Sequence, residues 1–84
     1  DAGYFARERE SATRLESLAA FRLPDEAPYE QMRSLSIEAR SKLARRRPVT
    51  LAQAASIPGV SPADLQNLVL EVQRLRVSEP VARD

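Results

Sequence analysis

The stretch TLAQAASIPGVSPADLQNLVLEVQRL, residues 50–75, contains two helix starts of the same kind. Thr50 is a favourable N-cap residue, because its hydroxyl can accept a hydrogen bond from a backbone N–H of the first helical turn. Gln53, three positions later, can reach back to the N-cap backbone N–H and complete a capping box. The pattern therefore predicts a short helix that begins after Thr50.

The second start repeats this arrangement, with Ser61 as the N-cap residue, Pro62 at the first helical position and Asp64 at the third. Pro62 is tolerated there because the first N–H of a helix has no partner within the helix. Asp64 places a negative charge at the positive end of the helix dipole. Between the two starts, we expect Gly59 to end the short helix with a positive φ.

The helix predicted after Ser61 has one apolar face. This face consists of five residues spaced as on one side of an α-helix: Leu65, Leu68, Val69, Val72 and Leu75. At about 100° per residue, Leu70 and Val77 fall together on nearly the opposite side. One interpretation is that the pair is ordinary exposed surface or packs on the first helix. The other is that it forms a docking surface for a partner.

A further helix start precedes this stretch. Ser36 is a suitable N-cap residue, and three apolar residues share one face of the helix that follows, namely Leu35, Ala39 and Leu43. The helix is expected to stop before Pro48. Residues 45–47 are all arginine and fall in its last turn, where cations interact favourably with the negative end of the dipole.

The N-terminal part of the chain adds one more predicted helix. Residues 4–22 contain no proline and carry apolar side chains in a helical stripe. Pro24 ends this helix, residues 24–28 are expected to be a connector, and residues 29–35 one short helical turn. The tail after residue 77 has no periodicity and is expected to fray.

No strand pattern is present, so the sequence predicts an all-α fold, a small helical bundle of four or five helices. Its length allows a single domain, which we place at residues 1–77, with a flexible tail at residues 78–84. Because the chain begins at Asp1 rather than Met, we expect it to be a piece of a larger protein.

The composition excludes several classes of function. The chain has no cysteine and no histidine, which removes thiol chemistry, the usual metal ligands and the usual acid–base group at neutral pH. Two glycines are too few for a phosphate-binding loop. The carboxylates have capping or surface explanations, so no catalytic, metal-binding or cofactor-binding residue is predicted. By itself the chain is not expected to be an enzyme.

Positive charge is concentrated in one segment, although the whole chain has 13 basic and 12 acidic residues. Residues 33–47 carry six basic side chains and only Glu38 as an acidic one. Such a segment can neutralise several phosphates, whereas the alternative is a solvated helix end. The residues predicted to bind nucleic acid are Arg40, Lys42, Arg45, Arg46 and Arg47.

The central stretch also resembles a helix-turn-helix, which makes a DNA-binding domain the alternative function. The second helix would then be the recognition helix. It opens with Pro62 and Ala63, which cannot read base edges, and with Asp64, which would repel phosphate. The helix-turn-helix pattern therefore favours a packing arrangement more than DNA recognition.

A series of short motifs follows one another over roughly residues 3–75. They are Gly3-Tyr4, Leu23-Pro24, Tyr29, Leu35-Ser36-x-Glu38-Ala39, Lys42-Leu43, Arg47-Pro48-x-Thr50-Leu51-x-Gln53-Ala54 and Ile57-Pro58-Gly59-Val60-Ser61-Pro62-Ala63. In this order they resemble the C-terminal helical domain of the MnmG/GidA family. Two positions depart from the family pattern, with Ala52 in place of glycine and Ser56 in place of arginine.

The resemblance implies a cytoplasmic parent protein that binds FAD and NADH outside this chain and forms a homodimer. That parent would work with the GTPase MnmE to modify the wobble uridine U34 of certain tRNAs. The resemblance further implies that this module binds tRNA and MnmE and does not bind a membrane. We therefore assign the five basic residues to tRNA, and Leu70 and Val77 to the contact with MnmE.

Overall fold

The computed structural model describes residues 17–78 of the chain. It contains a short 3-10 helix, Tyr29–Gln31, followed by three α-helices: α1 (Ile37–Arg46), α2 (Leu51–Ala55) and α3 (Pro62–Ser78). Helices are the regular elements of this part of the chain, which confirms the all-α prediction. The turn predicted over residues 29–35 is shorter than expected, because only its first three residues are helical.

The N-terminus of α1 forms as the sequence predicts, but the helix ends at Arg46, so Arg47 is its C-cap residue and not part of the last turn. The Ser36 hydroxyl accepts a hydrogen bond of 3.1 Å from the Ala39 N–H, which caps the N-terminus. At the other end, Arg47 adopts the left-handed conformation, with φ 49° and ψ 60°, and its N–H binds the Leu43 carbonyl. Pro48 follows directly, so the helix cannot continue.

The N-terminus of α2 uses a variant of the predicted capping box. The Thr50 hydroxyl accepts from the Gln53 N–H at 3.3 Å, as expected. The Gln53 side chain, however, accepts from the N–H of Val49 at 2.9 Å rather than from that of Thr50. Both hydrogen bonds of the capping box are therefore present at the N-terminus of α2. The second bond comes from the N–H one residue before the N-cap residue, whereas the sequence rule expects it from the N-cap residue itself.

Residues 17–23 correct one prediction. The helix expected over residues 4–22 lies mostly outside the described residues, but from Leu18 the chain turns and then becomes extended. Arg22 forms an isolated antiparallel bridge with Thr50. The carbonyls of Phe21 and Ala19 accept from the first two N–H groups of α2, at 2.9 and 3.0 Å. Those helix-terminal donors would otherwise lack partners, which explains why the extended form is preferred here.

The core lies between the 3-10 helix, α1, α2 and α3. In α3 it contains Leu68 and Val72, both 0% exposed, together with Leu65 and Val69, while Leu75 is partly buried beside it. Burial of these side chains confirms the predicted apolar face of α3. The remaining buried apolar residues are Leu23, Ala27, Tyr29, Met32, Leu35, Ala39, Leu43, Leu51, Ala54 and Ile57.

Asp64 joins the N-termini of α1 and α3. Its own N–H donates to the Ser61 hydroxyl at 3.1 Å, and its carboxylate accepts from the N–H and the hydroxyl of Ser61, both at 3.0 Å. The same carboxylate accepts from the N–H of Ser36 at 2.9 Å and from its hydroxyl at 3.1 Å. One side chain thus caps its own helix and fixes the start of α1 against it. We call this arrangement of Ser36, Ser61 and Asp64 the cap junction.

Candidate nucleic-acid interface

The predicted basic residues lie on α1 and at its C-terminal cap. Arg45 and Arg46 occupy the last turn, and both side chains are exposed. Among the described residues, neither forms a hydrogen bond or an ion pair through its side chain. Two guanidinium groups at the negative end of a helix therefore face solvent with all their donors available.

Arg47 is used differently from its two neighbours. Its guanidinium donates to the carbonyls of Ala27 at 2.8 Å and Asp25 at 3.4 Å, and its Nε donates to the Ala44 carbonyl at 3.2 Å. The guanidinium carbon also lies 5.1 Å from the centre of the Tyr29 ring. Arg47 therefore ties the 25–29 segment to the end of α1, and its donors are largely occupied.

Tyr29 lies beneath this guanidinium with only 1% of its surface exposed. Burial raises the pKa of its phenol, and the charge of Arg47 opposes that rise in part. The phenol therefore remains neutral at physiological pH. Its hydroxyl has no hydrogen-bond partner among the described residues, so Tyr29 acts here as a packing surface for Arg47.

Lys42 is also held within the fold. Its ammonium donates to the Pro58 carbonyl at 3.0 Å and pairs with Glu38 at 3.1 Å. Gly59, next to Pro58, has φ +97°, which confirms the predicted positive φ. The prediction that Gly59 ends the short helix is wrong, because α2 ends at Ala55 with Ser56 as its C-cap. A Cβ at Gly59 would lie 2.5 Å from the Glu38 carboxylate and 3.0 Å from the Lys42 ammonium. Lys42 thus anchors the turn between α2 and α3.

Arg40 is intermediate between the exposed, unbonded arginines of the last turn and the two basic residues that are bonded within the fold. Its side chain is half-buried, and its Nε is shielded from solvent without an acceptor among the described residues. It lines a shallow depression on the outer side of α1, together with Glu30, Ile37 and Ser41. We call this feature the α1 depression. Ile37 is 78% exposed there, which is high for a large apolar side chain.

The five predicted residues therefore do not form one uniform basic patch. Arg45 and Arg46 are free for a ligand, Arg40 borders a depression, and Lys42 and Arg47 have structural partners. Sequence reasoning treated all five alike. It also missed the other residues of the α1 depression, Glu30, Ile37 and Ser41. The one signal for this depression in the sequence was an isoleucine, Ile37, on the polar side of an amphipathic helix.

Leu70 and Val77 lie on α3 with 56% and 85% of their surfaces exposed. This agrees with their calculated position opposite the apolar face. Their assignment to a partner contact remains a prediction.

The turn between α2 and α3 does not support reading of DNA bases. Asp64 is 5% exposed, and its carboxylate is occupied by the two serines of the cap junction. Burial of this carboxyl acts to raise its pKa, but hydrogen bonds from Ser36 and Ser61 outweigh that effect and lower it. The exposed residues beside it, Pro62 and Ala63, carry no group that reads a base edge.

The described residues contain neither a cluster of metal ligands nor a glycine-rich loop. Within residues 17–78 there is no group of three His, Cys, Asp or Glu side chains able to hold a metal ion. Gly59 is the one glycine in this range, and its turn is packed against Glu38 and Lys42, so it cannot cradle a dinucleotide phosphate. No helix between residues 17 and 78 combines the length and apolar character needed to cross a membrane.

Comparison with known proteins gives consistent matches. Residues 11–83 match the family described as the tRNA modifying enzyme MnmG/GidA C-terminal helical bundle. The tRNA uridine 5-carboxymethylaminomethyl modification enzyme MnmG of Porphyromonas gingivalis is 52% identical over 68 residues, 81% of this chain. The same enzyme of Lactiplantibacillus plantarum is 37% identical over 78 residues, 93% of this chain.

A solved structure supports the same relationship. The crystal structure of Aquifex aeolicus GidA has a TM-score of 0.64 and 32% sequence identity, over 84% of this chain and 12% of that chain. The matched regions are 11% of the Porphyromonas protein and 12% of the Lactiplantibacillus protein. The chain thus spans about a ninth of the length of the relatives it matches, and by sequence and fold it belongs to the MnmG/GidA C-terminal helical bundle family.

Proposed function

We propose that this chain is the tRNA- and partner-binding C-terminal module of a flavin-dependent enzyme that modifies the wobble uridine U34 of tRNA. Family membership supports the assignment to tRNA modification, since the relatives are named for it. The chain corresponds to only 11–12% of those relatives, which supports a larger parent protein. In this proposal the rest of that cytoplasmic, homodimeric protein binds FAD and NADH, and this module has no catalytic residue.

The observation that carries the proposal is the exposed pair Arg45 and Arg46 at the end of α1. Neither guanidinium has a partner among the described residues, so binding a phosphate would break no existing contact. Arginine also binds phosphate oxygens through two parallel N–H groups. The module's role is therefore to hold and orient the tRNA backbone while the rest of the enzyme performs the chemistry.

The partner surface in this proposal is the outer face of α3. Leu70 and Val77 are seven residues apart, so they lie on one side of the helix two turns from each other. Paired apolar anchors at this spacing are typical of a helix that docks onto another protein. We assign this face to the GTPase MnmE.

The tRNA assignment is tested in the full protein that carries this chain. Replacing Arg45 and Arg46 together by Ser should lower tRNA affinity and flatten the dependence of log K on log salt by about two units, if each arginine meets one phosphate. The control is Arg33→Ser, which removes an exposed arginine outside the predicted set, and its slope should match that of the parent. A slope in the double variant no flatter than in this control would contradict a phosphate contact at Arg45 and Arg46.

The partner assignment is tested by titrating MnmE against the double variant Leu70→Ser and Val77→Ser. Because both side chains are exposed, the variant should keep the parent melting temperature and lose affinity for the GTPase. Ile37→Ser is a matched control, since Ile37 is equally apolar and 78% exposed on a different helix. Unchanged affinity in a folded double variant would exclude this face as the contact.

A further inference from the structure

We propose that the α1 depression receives one ribonucleotide of the tRNA, with its phosphate against Arg40 and its 2′-hydroxyl against Glu30. This inference rests on the proposed tRNA contact and extends it from charge attraction to recognition of RNA. The depression is lined by one cation, one carboxylate, one hydroxyl and one exposed apolar side chain, namely Arg40, Glu30, Ser41 and Ile37.

Arg40 is the part of the depression that suits a phosphate. Unlike Lys42 and Arg47, it makes no side-chain hydrogen bond among the described residues, and its shielded Nε lacks an acceptor. The terminal N–H groups of the guanidinium also have no acceptor among the described residues, so a phosphate in the depression can bind them without breaking an existing contact. The Arg40 side chain is half-buried, so binding a phosphate there should cost less side-chain entropy than at a fully exposed arginine.

Glu30 makes the depression selective. An ionised carboxylate only accepts hydrogen bonds and repels phosphate, so a simple anion would bind poorly beside it. A ribonucleotide carries a hydroxyl donor at the 2′ position close to its phosphate, and a deoxyribonucleotide does not. Glu30 has no ion-pair partner among the described residues, so its carboxylate is available for this donor.

Ile37 and Ser41 give the depression its shape, and with Arg45 they form a continuous row along one side of α1. They are one helical turn apart, and Arg45 follows one turn after Ser41 on the same side of α1. The exposed Ile37 side chain can contact the flat face of a sugar or base, while the small Ser41 allows close approach. A track that runs from a depression to a free arginine fits a nucleic-acid backbone better than it fits a globular protein surface.

The test measures binding of two probes, a tRNA transcript and a DNA oligonucleotide of the same sequence, to the full protein that carries this chain. Arg40→Gln should weaken binding of both probes by roughly tenfold, the equivalent of one charge-assisted hydrogen bond. Glu30→Gln removes the charge that repels phosphate and leaves only a weaker, neutral acceptor for the 2′-hydroxyl, so binding of the DNA should strengthen while binding of the transcript gains less. The ratio of RNA to DNA affinity should therefore fall by about fivefold. Arg33→Gln and Glu26→Gln are the matched controls, and melting temperatures confirm that each variant is folded.

Three results would overturn the inference. The first is an Arg40→Gln variant that behaves like Arg33→Gln, and the second is an unchanged ratio of RNA to DNA affinity in Glu30→Gln. If Arg40→Gln weakens MnmE binding and spares tRNA, the depression belongs to a protein contact and the inference is wrong. These failures are distinct from failure of the proposed function, which is read from the pair Arg45 and Arg46 alone.

Discussion

The two ends of α1 use their polar groups in opposite ways. At the N-terminus, the Ser36 N–H and hydroxyl are both bound by the Asp64 carboxylate, which is itself 5% exposed. At the C-terminus, Arg45 and Arg46 extend into solvent with no side-chain partner among residues 17–78. One end therefore stabilises the fold, and the other is available for a ligand.

The three consecutive arginines at the C-terminal end of α1 are divided between these two uses. Residues 45–47 have identical side chains, yet Arg47 turns inward because its left-handed backbone redirects the side chain towards Tyr29 and the 25–27 carbonyls. A count of charges cannot distinguish the three. Their separate roles follow only from where the helix ends.

The largest expected effect comes from breaking the cap junction. Asp64→Ala removes the acceptor for the N–H and hydroxyl groups of both Ser36 and Ser61. Because four hydrogen bonds to one charged acceptor are lost from part-buried donors, we expect the free energy of unfolding to fall by about 3–4 kcal/mol. Urea titration measures this loss, and Asp25→Ala is the control, because Asp25 is exposed. A loss no larger than that of the control would show that the junction does not stabilise the two helices.

The turn that packs against the N-terminal half of α1 should be the next most sensitive place. Gly59→Val places a branched side chain at φ +97° and against Glu38, so we expect a loss of about 2 kcal/mol. Repeating the substitution in a Glu38→Ala background should recover part of that loss, since the close contact is then removed and the backbone strain remains. A melting curve that overlays the parent would contradict this description of the turn.

At the other end of α1, Arg47 should matter for stability and its neighbours should not. Arg47→Ser removes the bonds to Ala27 and Ala44 and should cost about 1–2 kcal/mol. Arg47→Gly should cost less, because glycine adopts φ 49° without strain. Arg46→Ser is the control, with no expected change in the denaturation midpoint. If Arg46→Ser destabilises as much as Arg47→Ser, the contrast between the two arginines is wrong.

The smallest effect is a dependence on pH that arises from the cap junction. The pKa of Asp64 is lowered in the folded chain, so its charged form stabilises the fold above the pKa of an unfolded aspartate, about 3.9. That contribution is lost as the pH falls through the lower folded pKa. Unfolding free energies of the parent and of Asp64→Asn should therefore converge on acidification below about pH 4. If the curves of Asp64→Asn and the parent stay parallel on acidification, the link between the cap junction and pH is refuted.

Local sequence rules predicted the elements of this fold well. The N-caps at Ser36, Thr50 and Ser61, the positive φ at Gly59 and the apolar face of α3 all follow from interactions within a few residues. Such interactions are encoded in spacing, so the sequence alone is enough to identify them.

Contacts between distant residues were not predictable in the same way. The bond from Ser36 to Asp64 joins two caps that each look complete in isolation, and nothing in either motif indicates the other. The pairing of Arg22 with Thr50 is a single bridge, too short to leave an alternating pattern. For the candidate site, the sequence identified the charged segment but not which cations the fold would occupy, because that depends on tertiary packing.

The contact between residues 19–23 and α2 has a consequence for the order of folding. A helix of five residues does not persist by itself, because nucleation costs more than so few hydrogen bonds return. The first two amides of α2 are bound by carbonyls far earlier in the chain, those of Phe21 and Ala19. Docking of that earlier segment is therefore a condition for α2 to form. When residues 19–23 open locally, α2 should unfold with them as one cooperative unit. The rate of amide hydrogen exchange at Leu51 and Ala52 would therefore measure how often that distant segment detaches from α2.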